Sequence, residues 1–362
     1  MPTKLLTLIV LFLVLPACGS ESPTSSDPSG ESEVFKAIGT MTTTRFFHTS
    51  TLLKDGRVLI TGGFETDRPA HSSPEFSHNT AEIFDPDKGN STATGNLSRG
   101  RTQDTAILLR DGRVLIKGTD LYPPEIYDPQ SGRFAVLANV PGLTRYAPST
   151  ILSTGSILTT GDSGNVGILD PDTWEFTSTG RLITPRTNHT ATLLRDGRVL
   201  IAGGINAAGM VKGSEIYDPV TNSFAEVGDL NDERWGHDAM LLQDGRVLII
   251  GGRRGKIEVE DVRNVTTAEM FDPVTGVFAP SGDTGLSSID SAYLLPTGKV
   301  FLLSGRDVAI YDPSTGTANR TGHSIGQNRL FYTITPLKDG RIMVSGGLKD
   351  LLSTDEVLVY SP

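Results

Sequence analysis

The chain has 362 residues with a formal net charge of −10, and it contains 40 glycines but a single cysteine. It has no long basic run, which argues against nucleic acid as a partner. Apolar residues alternate or stand in short β-branched runs bounded by Gly, Asp and Pro. This pattern is typical of short strands and leaves few plausible helical windows.

The N-terminus carries the features of an exported chain. Lys4 precedes an apolar run from Leu5 to Leu15, which is too short for a membrane span and predicts a secretory signal peptide over residues 1–17. Leu15, Pro16 and Ala17 stand before Cys18 in a pattern that resembles the bacterial lipobox. The resemblance implies lipidation of Cys18; the alternative is an ordinary cleaved signal followed by an incidental cysteine.

Residues 18–32 are composed mainly of Ser, Pro, Gly and acidic residues, so they predict a disordered tether behind the lipidated cysteine. Gly19 follows Cys18, where the familiar inner-membrane retention signal has Asp. We therefore expect a lipid-anchored protein of the bacterial cell envelope, on the outer membrane or the cell surface. The lipid would be its only contact with the membrane.

The rest of the chain, residues 33–362, repeats one cassette seven times. The cassette reads LL-x-D-G-R-V-L-I-x-G-G followed by E-I-Y-D-P, and its period of about 40–50 residues indicates a propeller or a solenoid. The glycine of the first turn marks each unit: Gly56, Gly112, Gly155, Gly197, Gly245, Gly298 and Gly340.

Each unit predicts four antiparallel strands. Asp-Gly between two apolar runs predicts a hairpin, and Asp-Pro after the third strand predicts a second turn. Four such strands form one blade of a β-propeller. The seventh unit has no fourth strand, whereas residues 33–40 form an orphan strand with Phe35 in the position of the aromatic anchor. We expect this strand to complete the last blade and to close the ring.

The Gly-Gly pairs that end the second strands, together with the Tyr-Asp-Pro turns and the Phe that follows, resemble the kelch repeat. The pairs are Gly62-Gly63, Gly203-Gly204, Gly251-Gly252 and Gly346-Gly347. The resemblance covers nearly all of the chain after the tether. It implies an all-β, seven-bladed kelch-type β-propeller like the central domain of galactose oxidase.

Long insertions between the second and third strands occur in three units, at residues 64–79, 205–212 and 253–266. These insertions and the connections between blades open on one face, so we expect a loop-rich face that carries the binding groups.

An arginine recurs just before the first strand of five units: Arg45, Arg101, Arg186, Arg234 and Arg329. One interpretation is a ligand site at the mouth of the central channel, since guanidinium groups bind carboxylates. The alternative, which periodic recurrence favours, is that each arginine bridges neighbouring blades through carbonyls or an acid.

Three residues later, His48, His189 and His237 recur as candidates for a polar channel, with Asp104, Ala147, Asp290 and Tyr332 in other units. Inter-blade hydrogen bonds are the favoured interpretation, because a radial arrangement fits no compact metal site. His71, Glu75 and His78 form a weaker candidate for a cation site. We expect no metal and no cofactor.

Kelch propellers include enzymes and binding proteins. A copper oxidase resembling galactose oxidase needs a cysteine linked to a tyrosine, and the one cysteine here is Cys18. We find no motif of a catalytic nucleophile, so no catalytic residue is assigned. We expect a monomeric binding propeller that recognises a protein or a glycan. The alternative is a carbohydrate-active enzyme of the sialate mutarotase type with an Arg-lined channel.

Overall fold

A computed structural model describes residues 35–65, 77–117, 122–137, 140, 143, 148–161, 164–255, 261–326 and 329–362. The described residues form β-strands joined by turns, with no helix among them. Strand β1 is Phe35–Thr40, and it precedes the first repeat unit.

The repeat units fold as four-stranded antiparallel sheets in which sequence neighbours pair, and we call these sheets blades 1 to 7. Blade 1 contains β2 (Thr49–Leu52), β3 (Val58–Thr61), β4 (Ala81–Asp85) and β5 (Asn90–Ala93). Blade 2 contains β6 (Thr105–Leu108), β7 (Val114–Lys117), β8 (Glu125–Asp128) and β9 (Arg133–Val136). Blade 3 contains β10 (Ser149–Ile151), β11 (Ile157–Thr160), β12 (Asn165–Leu169) and β13 (Phe176–Arg181).

Blades 4 and 5 each carry a short hairpin between their second and third strands. Blade 4 and its hairpin comprise β14 (Thr190–Leu193), β15 (Val199–Ala202), β16 (Ile205–Asn206), β17 (Gly209–Met210), β18 (Ser214–Asp218) and β19 (Ser223–Val227). Blade 5 and its hairpin comprise β20 (Asp238–Leu241), β21 (Val247–Ile250), β22 (Arg253–Arg254), β23 (Arg263–Asn264), β24 (Thr267–Asp272) and β25 (Val277–Asp283).

Blade 6 is a plain four-stranded sheet, and blade 7 has an added small sheet. Blade 6 contains β26 (Ser291–Leu294), β27 (Val300–Ser304), β28 (Asp307–Asp312) and β29 (Thr317–Ser324). The last strands are β30 (Arg329–Leu330), β31 (Thr333–Pro336), β32 (Ile342–Ser345), β33 (Leu348–Lys349), β34 (Leu352–Ser353) and β35 (Glu356–Tyr360). Strands β30, β33 and β34 form the small sheet.

The N-terminal strand lies where the sequence predicts it. β1 pairs antiparallel with β35, so blade 7 has the order β1-β35-β32-β31. Phe35 contacts Tyr360 at a ring distance of 5.2 Å, as Phe224 contacts Tyr217 at 5.0 Å within blade 4. The position of Phe35 in β1 therefore matches that of the aromatic anchor in the fourth strand of blade 4.

The hydrophobic core lies between adjacent blades. The second strand of each blade is buried along its whole length, as in β3 and β15. One apolar cluster joins Val58 and Ile60 of blade 1 to Met343 and Val357 of blade 7. The first and last blades are therefore packed against each other.

Asp-Gly turns connect the first strand to the second in blades 1, 2, 4, 5 and 7, as predicted, whereas blades 3 and 6 have Thr-Gly there. In blade 1, Asp55 accepts a hydrogen bond from the amide of Arg57 at 3.0 Å, and Gly56 has φ +95°. This backbone conformation strongly favours glycine. The arrangement recurs in blades 4 and 5, around Gly197 and Gly245.

Among the described residues, the loop-rich face has elaborations in four units rather than three. The predicted insertions contain the β16–β17 and β22–β23 hairpins and, in blade 1, an isolated bridge between Phe64 and Ser77. The sequence analysis missed the β33–β34 hairpin of blade 7, because six residues are too few to stand out as an insertion. Among the described residues, no helix has the length and apolarity to span a membrane.

Candidate functional site

The candidate residues lie on the segments that leave the fourth strand of one blade and enter the first strand of the next. We call these segments links. Strand β2 contacts the first strands of both neighbouring blades, β6 and β31, and the innermost strands of a propeller face a central channel. Each link therefore ends at the channel, on the loop-rich face.

The five predicted arginines are buried, with exposures between 0 and 4 %. Each guanidinium is paired with a glutamate on the third strand of its own blade. The contacts are Arg45–Glu82 at 2.9 Å, Arg101–Glu125, Arg186–Glu215 and Arg234–Glu269 at 2.7 Å each, and Arg329–Glu356. Burial lowers the pKa of Arg45 and Arg234 from the usual value, and the glutamate opposite each opposes that effect.

The same arginines also donate hydrogen bonds to backbone carbonyls. Arg234 Nη1 donates to the carbonyls of Gly251 at 3.0 Å and Thr267 at 2.8 Å. Its own carbonyl accepts a hydrogen bond from Gly204 N of the preceding blade at 2.8 Å. The carbonyls of Arg45 and Arg101 accept hydrogen bonds from Gly347 N and Gly63 N of the preceding blades in the same way. Each of these three arginines thus connects two blades, with its backbone on one and its side chain on the other.

The glutamates complete the arrangement by binding the link itself. Glu269 accepts hydrogen bonds from the amides of Asn231 at 2.5 Å and Asp232 at 3.0 Å, and Glu215 accepts one from Ile183 N at 2.7 Å. Buried charges are tolerated when they are paired and hydrogen-bonded in this way. We call each Arg–Glu pair with its link amides a link clamp.

The glutamates were not predicted from the sequence, although the sequence contains a pattern that indicates them. Blades 3 and 6 have Thr144 and Ser287 at the arginine position, and they have Gly167 and Ala309 at the glutamate position. Arginine and glutamate are thus absent together, which is the pattern of a paired contact. In blade 3 the space is taken by the ring of Phe176, which lies against Gly167.

This geometry favours the second of the two interpretations of the arginines. Each guanidinium is engaged by a glutamate and by carbonyls inside the fold, and the side chains are buried and do not line an open channel. The Arg-lined channel expected of a sialate mutarotase type of enzyme is therefore not formed by these five residues.

The three predicted histidines are also buried and lie between blades. His48 Nε2 lies 3.1 Å from Ser345 Oγ and 2.8 Å from Thr333 Oγ1 of blade 7. His189 Nε2 lies 2.6 Å from Thr160 Oγ1 of blade 3, and His237 Nε2 lies 2.9 Å from Thr190 Oγ1 of blade 4. These are the inter-blade hydrogen bonds that the sequence analysis favoured.

The environment of these histidines keeps them neutral. Burial, together with the charge of the arginine in the same link, lowers the pKa of His48, His189 and His237 to about 3. A permanently neutral imidazole with a hydroxyl partner suits a structural hydrogen bond.

The boundary between blades 2 and 3 uses a different pair. Blade 3 has Ala147 at the histidine position, and that residue lies outside the described part of the chain. Lys117 of blade 2 is buried and donates to Ser149 Oγ of blade 3 at 2.8 Å. Lys117 thus makes the side-chain hydrogen bond between blades 2 and 3, whereas a histidine makes the corresponding bond at three other boundaries.

A cluster of phenylalanine side chains lies on the links that enter blades 1 and 7. It was not predicted from the sequence. The rings of Phe47 and Phe331 are stacked, with centroids 4.3 Å apart and planes 26° apart. Both rings are half-buried, and buried Phe46 contacts them at 5.4 and 6.2 Å. Phe46 also contacts Phe64 of the blade 1 insertion at 5.5 Å.

In each link that contains an arginine, the residue two positions after that arginine has a left-handed backbone. The φ angles are 53° at Phe47, 55° at Gln103, 53° at Asn188, 60° at Gly236 and 56° at Phe331. Phe47 N donates to Phe331 O at 3.1 Å, Gln103 N to Phe47 O at 2.8 Å, and Gly236 N to Asn188 O at 2.9 Å. We call these five residues the channel mouth.

The remaining candidate residues are those of the possible cation site and those of the N-terminus and blade 3. His71 and Glu75 lie outside the described residues, and His78 Nε2 lies 3.7 Å from Glu65 Oε2. Within the described ranges, no three His, Cys, Asp or Glu side chains are grouped so as to hold a metal ion. Cys18, Thr144, Arg145 and Ala147 also lie outside the described residues.

The structure is similar to that of a fungal alcohol oxidase of the AA5 family, solved in complex with copper. The TM-score is 0.68 at 16 % sequence identity, over 91 % of this chain and 75 % of that one. No family model matches the sequence. No curated protein matches it either.

At this identity the likeness shows the fold alone, and the fold is a galactose-oxidase-like β-propeller. The predicted all-β propeller class is confirmed by this likeness and by the four-stranded antiparallel sheets. The kelch assignment and the lipoprotein signal stay predictions. Copper and alcohol oxidation are properties of the other protein.

Proposed function

We propose that this propeller is a binding module rather than an enzyme, and that its loop-rich face contacts a protein or a glycan. One observation carries the proposal. Among the described residues, three bulky side chains with positive φ lie on that face: Phe47, Phe331 and Leu351. Bulky residues in this conformation cost about 1–3 kcal/mol each, and such strain is concentrated at functional sites.

The β33–β34 hairpin also has a bulky residue with positive φ on the loop-rich face. Leu351 has φ +67° in a two-residue turn whose second position favours glycine. Its side chain is 52 % exposed, and that of the next residue, Leu352, is 47 % exposed. Exposed leucines on a strained turn do not stabilise the fold, so contact with a ligand is a reason for them to be present.

The polar groups around the channel support the choice of binding over catalysis. In the described part of the links, the arginines are taken up by the link clamps and the three histidines by inter-blade hydrogen bonds. Buried neutral histidines and paired arginines are poor candidates for proton transfer to a substrate.

The experiment compares capture of envelope components by the purified full-length chain and two variants. Leu351→Gly with Leu352→Thr removes the exposed leucines and relieves the strained turn. Val220→Asn with Val274→Asn alters two valines that are 91 % and 92 % exposed on turns of the opposite face.

We expect the first variant to lose the captured component and the second to retain it. Equal capture by both variants would show that the β33–β34 hairpin is not part of the contact. Failure of the unaltered chain to capture any envelope component would overturn the binding function itself.

We also propose that Cys18 anchors the chain to the bacterial cell envelope, with residues 18–32 as the tether. The lipobox-like residues Leu15 to Ala17 support this proposal. Metabolic labelling with an alkyne fatty acid should label the chain and should not label Cys18→Ser. Equal labelling of both chains would contradict the anchor.

A further inference from the structure

We infer that the Phe47–Phe331 pair at the channel mouth is the binding site for a neutral pyranose ring of a glycan. The inference rests on the proposed binding function and specifies its ligand. It starts from a comparison of the links with one another, since the same backbone position is occupied by different residues around the channel.

The fold does not require phenylalanine at this position. Asn188 and Gly236 adopt the same left-handed conformation in blades 4 and 5, and both residue types enter that region at low cost. Phe47 and Phe331 occupy it with bulky side chains, at roughly 1–2 kcal/mol each. Two phenylalanines on adjacent links, in contact with each other, therefore need a reason other than the local backbone.

The geometry forms a rigid platform. The backbones of the two links are joined by the hydrogen bond from Phe47 N to Phe331 O, and the rings stack at 4.3 Å. Buried Phe46 supports both rings from the protein side. An aromatic surface fixed in this way loses little conformational entropy when a ligand binds.

The chemistry of the surroundings selects among flat ligands. Aromatic faces carry partial negative charge, which attracts the weakly positive C–H groups on one side of a pyranose. An aromatic surface of this kind therefore suits the apolar face of a sugar.

The charges argue for a neutral sugar. The arginines of the links are buried in their clamps, so they are not available to a sialic acid carboxylate. The chain carries a formal net charge of −10. A charge of this sign disfavours acidic glycans at the surface.

The test is a titration of the full-length chain with neutral hexose oligosaccharides and their sialylated counterparts. The test variant is Phe47→Asn with Phe331→Asn, which copies the residue already present at position 188. Asn188→Gly is the matched control, because it changes the same backbone position on the other side of the mouth. Thermal unfolding of each protein is measured in parallel.

We expect a neutral oligosaccharide to bind, the double variant to weaken binding at least tenfold, and Asn188→Gly to leave it within twofold. The double variant should unfold no more than a few degrees below the unaltered chain. No binding by any neutral sugar, or equal binding by the double variant, would overturn the inference. Capture of a protein that depends on Leu351 and survives the double variant would overturn it and leave the proposed function standing.

Discussion

Arg234 shows how one side chain determines the path of a link. It is fully buried, donates to two carbonyls and pairs with Glu269, which in turn binds two amides of the link. The sequence indicated that the arginines recur, and recurrence favoured a structural role. It did not indicate which groups they contact, because the glutamate lies 35 residues away on another strand.

We predict that Arg234→Ala lowers the free energy of unfolding by about 3–5 kcal/mol, because it leaves Glu269 buried without its partner. Arg246→Ala is the control in the same blade, since its pair with Asp244 is exposed and should contribute about 0–1 kcal/mol. Urea unfolding at pH 7 measures both. A change below about 1 kcal/mol for Arg234→Ala would contradict the clamp.

The backbone conformation of the channel mouth could not be predicted from the residue pattern. The Arg-Phe-Phe-His and Arg-Leu-Phe-Tyr segments are visible in the sequence as variants of one motif. Nothing in them indicates that the third residue has positive φ, because phenylalanine is rare there. The signal was the other links, where Asn188 and Gly236 occupy the same place.

At the scale of elements, strands were predictable because turn residues and aromatic anchors recur with each unit. The Asp-Gly turns fix the first hairpin of the blade, and Phe35 marked the orphan strand. Contacts between blades were less predictable. Gly39 of β1 lies against Gly89 of blade 1 so closely that a Cβ at Gly39 would be 1.9 Å from Gly89 O. Such contacts depend on how outer strands approach neighbouring turns.

We predict that Gly39→Ala lowers the melting temperature by several degrees, because its methyl group would collide with the backbone of blade 1. Gly213→Ala is a suitable control, since a Cβ there meets its nearest atom at 3.6 Å. Deletion of residues 35–40 should have a larger effect than Gly39→Ala, since it exposes the edge of β35. A deletion that melts like the full chain would show that β1 does not secure blade 7.

At the scale of the whole molecule, the boundaries between blades determine how the domain responds to acid. His48, His189 and His237 stay neutral in the folded state with pKa values of about 3, and their ordinary value is 6.5. Between these values the unfolded chain holds a proton that the folded chain does not. Stability therefore falls as the pH falls below 6.5, by up to about 1.4 kcal/mol per pH unit for each histidine.

We predict a marked fall in melting temperature between pH 7 and pH 5, before the carboxylates of the Asp-Gly turns begin to titrate. Their pKa values are held below 3.8 by hydrogen bonds from the following arginine, as at Asp55 and Asp196. The triple variant His48→Gln, His189→Gln, His237→Gln should show a flatter profile, whatever its stability at pH 7. A pH-independent melting temperature in the unaltered chain would contradict the assignment.

The pairing of Lys117 with Ser149 has a consequence for the history and the engineering of this domain. Lys117 of blade 2 is buried against Ser149 of blade 3, whereas Thr160, at the corresponding place in blade 3, meets His189 of blade 4. Transplanting blade 2 so that it precedes blade 4 would bring Lys117 towards His189. Recombination among these units is therefore restricted by their contacts in pairs, and neighbouring units should be moved together as one cassette.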